Sequence, residues 1–472
     1  MFTFADSLNQ NLIDEFNSPG PYYTSYPSLG KWTPTIQEED YKQALLKFMP
    51  DVENEDTGLY IHFPYCPKLC YFCLCNVSIS KDREKINGFF QYLLREIDML
   101  FKFFEKSGKK LRITDIHLGG GTPSYMTEEE LTTLVNRLKN WINMDELEEF
   151  SMEFDPRSAT LSKLKLAKEL GINRISMGIQ DFKQEIQEAV NRVHSFEFID
   201  SLLTPEVRSL FQGINFDVLY GLPLQTRDSF LETIDLVKKL SPDRVTLLRY
   251  AHVPDVNKHM KILDKYDMPD DQEKAWFFFD AVDSFKKSGW EHIGIDHFAK
   301  SSDKLVSAKN KNALKRTFIG FQSGKLNNLL GIGPSSTLKL NDHYFQNICN
   351  LEDYVTSIST GKFPIGNGYK MSNDDLIRRE VIEKILCESR LNFEEIEEKY
   401  EIDFSFYFEE ELLALDKYVK MKVATKNKYG LVLTDLGAGF KRQICRIFDK
   451  FYKIDQGYKI HGTGNKRTRL TL

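Results

Sequence analysis

GLYIHFPYCPKLCYFC, residues 58–73, opens as an apolar run of strand character and breaks at Pro64 into a loop carrying three cysteines, Cys66, Cys70 and Cys73. Downstream, Ile86, Phe90, Leu93, Ile97, Leu100 and Phe104 recur at helical spacing, with Gly108 close after, so the stretch reads as one strand–helix unit. The unit repeats. Predicted strands at 113–118, 150–154, 174–179, 214–220 and 244–250 alternate with predicted helices at 128–141, 161–170, a polar stretch after 179, and 230–240. Six such units in series predict parallel strands covered outside by helices. Chemistry in such barrels gathers at the carboxyl ends of the strands, where Cys66, Gly119 to Gly121, Glu153, Gln180 and Asp217 are expected.

Outward from this block the pattern changes. The first 50 residues lack clear periodicity, and Pro19, Gly20, Pro21 and Pro27 interleave with Tyr22, Tyr23 and Tyr26, which reads as an extended segment draped over a surface or as a plain linker. Strand–helix alternation weakens past about residue 340. The expected parts are therefore a covering segment at 1–50, a barrel at 51–345 and a mainly helical accessory domain at 346–472.

The 472 residues are 41% hydrophobic and 28% charged, with 63 basic against 69 acidic side chains and a net charge of −6. That balance fits a folded soluble protein and lacks the basic excess of a nucleic-acid binder. No signal peptide or membrane span is read. Seven cysteines, four of them within residues 66–75, fit a reducing cytosol and a metal site better than a disulfide framework.

Three thiolates in a CxxxCxxC loop can hold three irons of a 4Fe-4S cluster and leave the fourth iron open to a ligand. Zinc, with His62 as a further ligand, is the rival. Cys75 could instead close the cluster and make an electron carrier. Against closure, Gly119-Gly120-Gly121-Thr122-Pro123 provides glycines where backbone can approach an organic ligand, although a tight strand exit would need glycines too.

The cysteine loop with an aromatic before its last cysteine, the GGGTP turn and the barrel resemble the radical S-adenosylmethionine (SAM) enzymes. Segments 19–27, 60–76, 153–157, 176–192, 217–223, 250–254 and 294–299 resemble, in order, the oxygen-independent coproporphyrinogen III oxidase (dehydrogenase) family. The resemblance implies a partial (β/α)6-type barrel and makes Cys66, Cys70 and Cys73 the cluster ligands, with Cys75 a non-ligand. It implies Tyr60, Gly119 and Glu153 as contacts to SAM. Phe72, Gly120, Thr122, Gln180, Arg192, Asp217 and Ala251 correspond to contacts to a second SAM.

The implied reaction is oxidative decarboxylation of two propionates of coproporphyrinogen III to vinyl groups, by a cytoplasmic monomer with an external electron donor and acceptor. The alternatives are another tetrapyrrole as substrate and the haem-chaperone branch of the superfamily. The sequence departs from the family pattern at Tyr22 (usually arginine), Pro67 (histidine), Leu74 (glycine) and Val193-His194 (an acidic-amide pair).

Overall fold

The first predicted strand forms as β1 (Thr57–Phe63), and all seven of its residues are buried, as a parallel strand covered on both faces requires. The structure is a computed structural model, and it describes residues 4–48, 56–106, 108, 111–324 and 326–452. The helix after β1 (Arg83–Glu105) starts where the Asp82 side chain accepts a hydrogen bond from Lys85 N, and it buries the expected apolar stripe from Ile86 to Phe104. β2 (Ile113–Gly120), β3 (Glu149–Phe154), β4 (Arg174–Gln180), β5 (Gly213–Tyr220) and β6 (Arg244–Arg249) follow, each pairing in parallel with the strand before it.

Among the described residues the sheet has twelve strands. Asn328–Ile332 joins the free edge of β1 in parallel, and Thr337–Leu340, His343–Asn347 and Ile365–Lys370 continue from it antiparallel. At the other edge β6 pairs antiparallel with His297–Lys300, which pairs with Trp290–Gly294. The two edges do not pair with each other, so the barrel is partial and open. Its floor is an ion cluster: Arg174 bonds Asp303 at 2.9 Å and reaches Glu149 at 3.2 Å, and Arg244 bonds Asp303 at 2.9 Å. Burial opposes ionisation of Glu149, but Arg244 and Arg174 outweigh it and hold the carboxyl down at about 2.

Three features differ from the sequence reading. The sheet runs on beyond residue 345, because its added strands are short and antiparallel and so carry no strand–helix alternation. The polar stretch after β4 divides into three short helices, Gln184–Ala189, Phe196–Leu202 and Pro205–Leu210, two of them begun by Ser195 and Thr204 caps. Among the described residues the first 50 positions hold two α-helices, Gln10–Asn17 and Glu38–Phe48. Phe16 of the first lies 5.2 Å from both Phe278 and Phe279 and 6.0 Å from Phe440, which ties the segment to barrel and carboxyl-terminal part alike.

The expected boundary at 50/51 and the stretch 453–472 lie outside the described residues. Helices between Asn373 and Ile447 pack around the three-stranded sheet Arg390–Asn392, Ala424–Asn427 and Gly430–Leu433.

Candidate active site

The carboxyl ends of β1 to β6 surround a cavity of about 370 Å³, and every expected site residue except Gly119 lines it. Cys66, Cys70 and Cys73 reach it from the loop after β1. That loop is fixed by backbone contacts: Tyr71 N donates to Val190 O at 3.0 Å, Asn191 Nδ2 to Leu69 O at 2.7 Å, and Cys73 N to Cys70 O at 3.1 Å. The His259 ring lies 3.0 Å from Cys73 O. The Cys66 sulfur is 3.1 Å from Thr122 Oγ1, and the Cys70 sulfur is 3.3 Å from Arg157 Nη2 and 3.8 Å from Arg192 Nη1.

The donor set fits a polynuclear iron–sulfur cluster. Burial, with repulsion from Cys73 and Cys70, pushes the Cys66 thiol up to about 12, so a thiolate at Cys66 needs a cationic centre beside it. His62, the further ligand of the rival zinc reading, is engaged elsewhere, with its ring nitrogens 2.9 Å from the Tyr60 hydroxyl and from Asn76 O. The Cys75 thiol is held well above its ordinary value by its hydrogen bond to Cys73 and by burial.

Alternate residues of the parallel strands face inward, which places His117, Ser151, Glu153, Ser176, Asn215 and Asp217 on the cavity wall. His117 is clamped between Ser151 Oγ (2.7 Å) and Glu153 Oε1 (3.0 Å), with its ring stacked on Tyr60, while Gly120 N donates to Glu153 Oε2 at 3.2 Å. A Cβ at Gly119 would lie 2.8 Å from Glu153 Oε1 and 3.0 Å from the Tyr60 ring. At Gly120, with φ +113°, a Cβ would strike the His62 ring at 2.7 Å. These glycines therefore serve close packing of the wall itself.

Asp217 sits three residues short of the end of β5 rather than at it, and accepts from Ser176 Oγ (2.9 Å) and Asn215 Nδ2 (2.8 Å). Burial and the nearby Glu153 charge push its carboxyl up. Gln180 is held at φ +69° with its side-chain oxygen buried and unpartnered, an acceptor left over for a donor in the cavity. Phe72 and Ala251 pack beside the apolar cluster of Leu74, Leu219 and Tyr250.

Of the departures, Tyr22 and Leu74 line the cavity and Pro67 does not. His194 is buried with neither ring nitrogen bonded, and burial lowers it to about 3. The sequence reading missed His117, Asp155 and Arg157. His117 faces inward with Ser151 and Glu153 through the register of β2 against β3, which the sequence does not show; Asp155 and Arg157 lie past the strand end, where parity says nothing.

The Radical SAM superfamily model matches residues 60–237. The oxygen-independent coproporphyrinogen III oxidase of Pseudomonas aeruginosa is 34% identical over 443 residues, covering 93% of this chain and 95% of that protein. The chain belongs to the oxygen-independent coproporphyrinogen III oxidase family. The Escherichia coli oxidase is 33% identical, covering 94% and 95%. The solved structure of the E. coli coproporphyrinogen III oxidase, described as a radical SAM enzyme, superposes with a TM-score of 0.85 over 91% of this chain and 98% of that one. The fold agrees with this family, and no helix among the described residues is long and apolar enough to cross a membrane.

Proposed function

We propose that this chain converts two propionate side chains of coproporphyrinogen III to vinyl groups without oxygen, giving protoporphyrinogen IX. The observation that carries this reading is a single cavity bordered by the three thiols, the inward polar wall and the segment 19–27 together. A 4Fe-4S cluster with SAM, when bound, supplies one-electron chemistry able to abstract a propionate hydrogen.

Cys66, Cys70 and Cys73 hold irons. Glu153, fixed by His117 and Gly120 N, accepts hydrogen bonds from SAM beside Tyr60 and Gly119. Phe72, Thr122, Gln180, Arg192, Asp217 and Ala251, with Gly120, offer apolar, donor and acceptor groups for a second SAM. Tyr22 and Thr24 cover the cavity and keep water from it.

The parts divide the work: the segment before β1 covers, the sheet with its helices as far as Lys370 carries cluster and SAM, and the helices from Asn373 onward hold the cover in place. The chain works as a cytoplasmic monomer with an external electron donor and acceptor.

Anaerobic incubation of reconstituted protein with SAM, a reductant and coproporphyrinogen III, read by mass, tests the reading. Two successive losses of carbon dioxide and two hydrogens are expected; unchanged coproporphyrinogen III would reject the substrate. A second reading, another tetrapyrrole, draws on Tyr22 and Leu74 facing the cavity, and the same assay with that tetrapyrrole separates the two.

A further inference from the structure

We infer that Arg157 sets the reduction potential of the cluster by hydrogen-bonding the sulfur of one ligand, Cys70; the inference rests on the reading of Cys70 as an iron ligand. Arg157 Nη2 lies 3.3 Å from Cys70 Sγ and 2.7 Å from Asp155 Oδ2. The rest of the guanidinium is committed: Nε sits 3.1 and 3.2 Å from the two Asp155 oxygens, and Nη1 donates to Asn191 O at 2.9 Å. The fork is thus aimed at the sulfur from a fixed frame, and its side chain is 17% exposed. Arg192 adds a second guanidinium, 2.5 Å from Asp155 Oδ2 and 3.8 Å from the same sulfur. Two cations against one carboxylate leave a net positive charge beside Cys70.

The other ligand sulfurs are treated differently. The Cys66 sulfur meets the neutral Thr122 hydroxyl, and Cys73 receives the Cys75 thiol. Hydrogen bonds to a ligand sulfur withdraw electron density from it, and positive charge nearby favours the reduced cluster; both raise the potential. Arg157 therefore makes the cluster easier for an external donor to reduce. A purely structural Arg157, tying the exit of β3 to the turn at Asn191, would change cluster retention without changing the potential of clusters retained.

The test is a redox titration, followed by electron paramagnetic resonance, of anaerobically reconstituted wild type, Arg157→Gln and Arg157→Lys matched for iron and sulfide content. Arg157→Gln is expected to make reduction about tenfold less favourable, a shift of ~59 mV to more negative potential for one electron. Arg157→Lys, which keeps the charge but loses the fork, should shift less in the same direction. A cluster-loaded Arg157→Gln protein at the wild-type potential overturns the inference. Should that variant lose the cluster, the Lys variant decides by the same criterion. If wild type takes up no cluster at all, the ligand reading falls before any potential is measured, and the inference falls with it.

Discussion

The cysteine loop and the segment 19–27 border one cavity but are held in place by different means. The loop takes its supports from the barrel: Val190, Asn191, Arg157 and His259 all lie on the units that build the cavity wall. The segment takes its supports from the far end of the chain. Arg446 donates to Pro19 O at 2.9 Å, Arg442 stacks on Tyr22 at 4.3 Å, and the Tyr23 hydroxyl bonds Asp449 at 3.2 Å. Glu15, just before it, is buried among Arg446, Lys417 and Tyr418. The reactive end is thus local to the barrel, and the cover is a joint between the two termini of the fold.

The largest expected effect breaks the loop alone. Cys66→Ala, Cys70→Ala and Cys73→Ala each lose the intact cluster, since each removes a metal bond nothing nearby replaces, whereas Cys75→Ala keeps it. Iron and sulfide counts after anaerobic reconstitution decide, and cluster loss in Cys75→Ala would show four-cysteine ligation instead.

Next comes the joint. Arg446→Ala leaves the Glu15 carboxylate buried with a weakened set of partners and should cost about 3–5 kcal/mol in denaturant melts while leaving the loop's ligands untouched. A loss below ~1 kcal/mol would mean that Lys417 and Tyr418 suffice.

The joint also predicts a pH dependence. Burial pushes Asp449 up to about 6, above the ordinary carboxylate range, so its protonated form is favoured in the fold. Its contribution to stability is complete below pH ~4 and lost as pH rises through about 6. Relative to Asp449→Asn, wild type should therefore lose up to ~3 kcal/mol across that window. Parallel pH profiles of the two proteins would remove Asp449 from the account.

The smallest effect returns to the cavity wall. Glu153→Gln keeps the cluster but weakens SAM binding about ten- to a hundredfold, the worth of a charge-assisted hydrogen bond at ~1.5–3 kcal/mol. Calorimetry showing unchanged SAM affinity would remove Glu153 from that role.

The same contrast explains what could be read from the sequence. The parallel strands were legible because most of them couple an apolar run to a helix of fixed period, and the loop was legible because its three cysteines lie within eight residues. His117 and Asn215 went unread as wall residues because an inward polar side chain on a strand looks like any exposed one until its neighbours are known. Asp217 was grouped with the strand-end residues although the predicted strand at 214–220, which β5 matches, already left it three residues inside the end. The segment's prolines and tyrosines announced a special element, but Arg446 and Asp449 are more than four hundred residues away, and no local pattern links them to it. The helix Gln10–Asn17 depends on Phe16 meeting Phe278, Phe279 and Phe440, a tertiary contact that an eight-residue window does not contain.

That joint also shapes how the cover is best tested. Leu12, Ile13 and Phe16 are core residues, so deleting the first 28 residues would strip the core along with the cover. Tyr22→Ala trims the face that meets the cavity and Arg442 and leaves Leu12, Ile13 and Phe16 in place. The central claim is that radical formation belongs to the loop and its coupling to substrate belongs to the cover. It is tested by one anaerobic reaction of wild type and Tyr22→Ala in which 5′-deoxyadenosine and decarboxylated tetrapyrrole are quantified side by side. The account predicts that the variant still forms 5′-deoxyadenosine while product falls steeply. A wild-type ratio of the two, or a parallel fall of both, would contradict it.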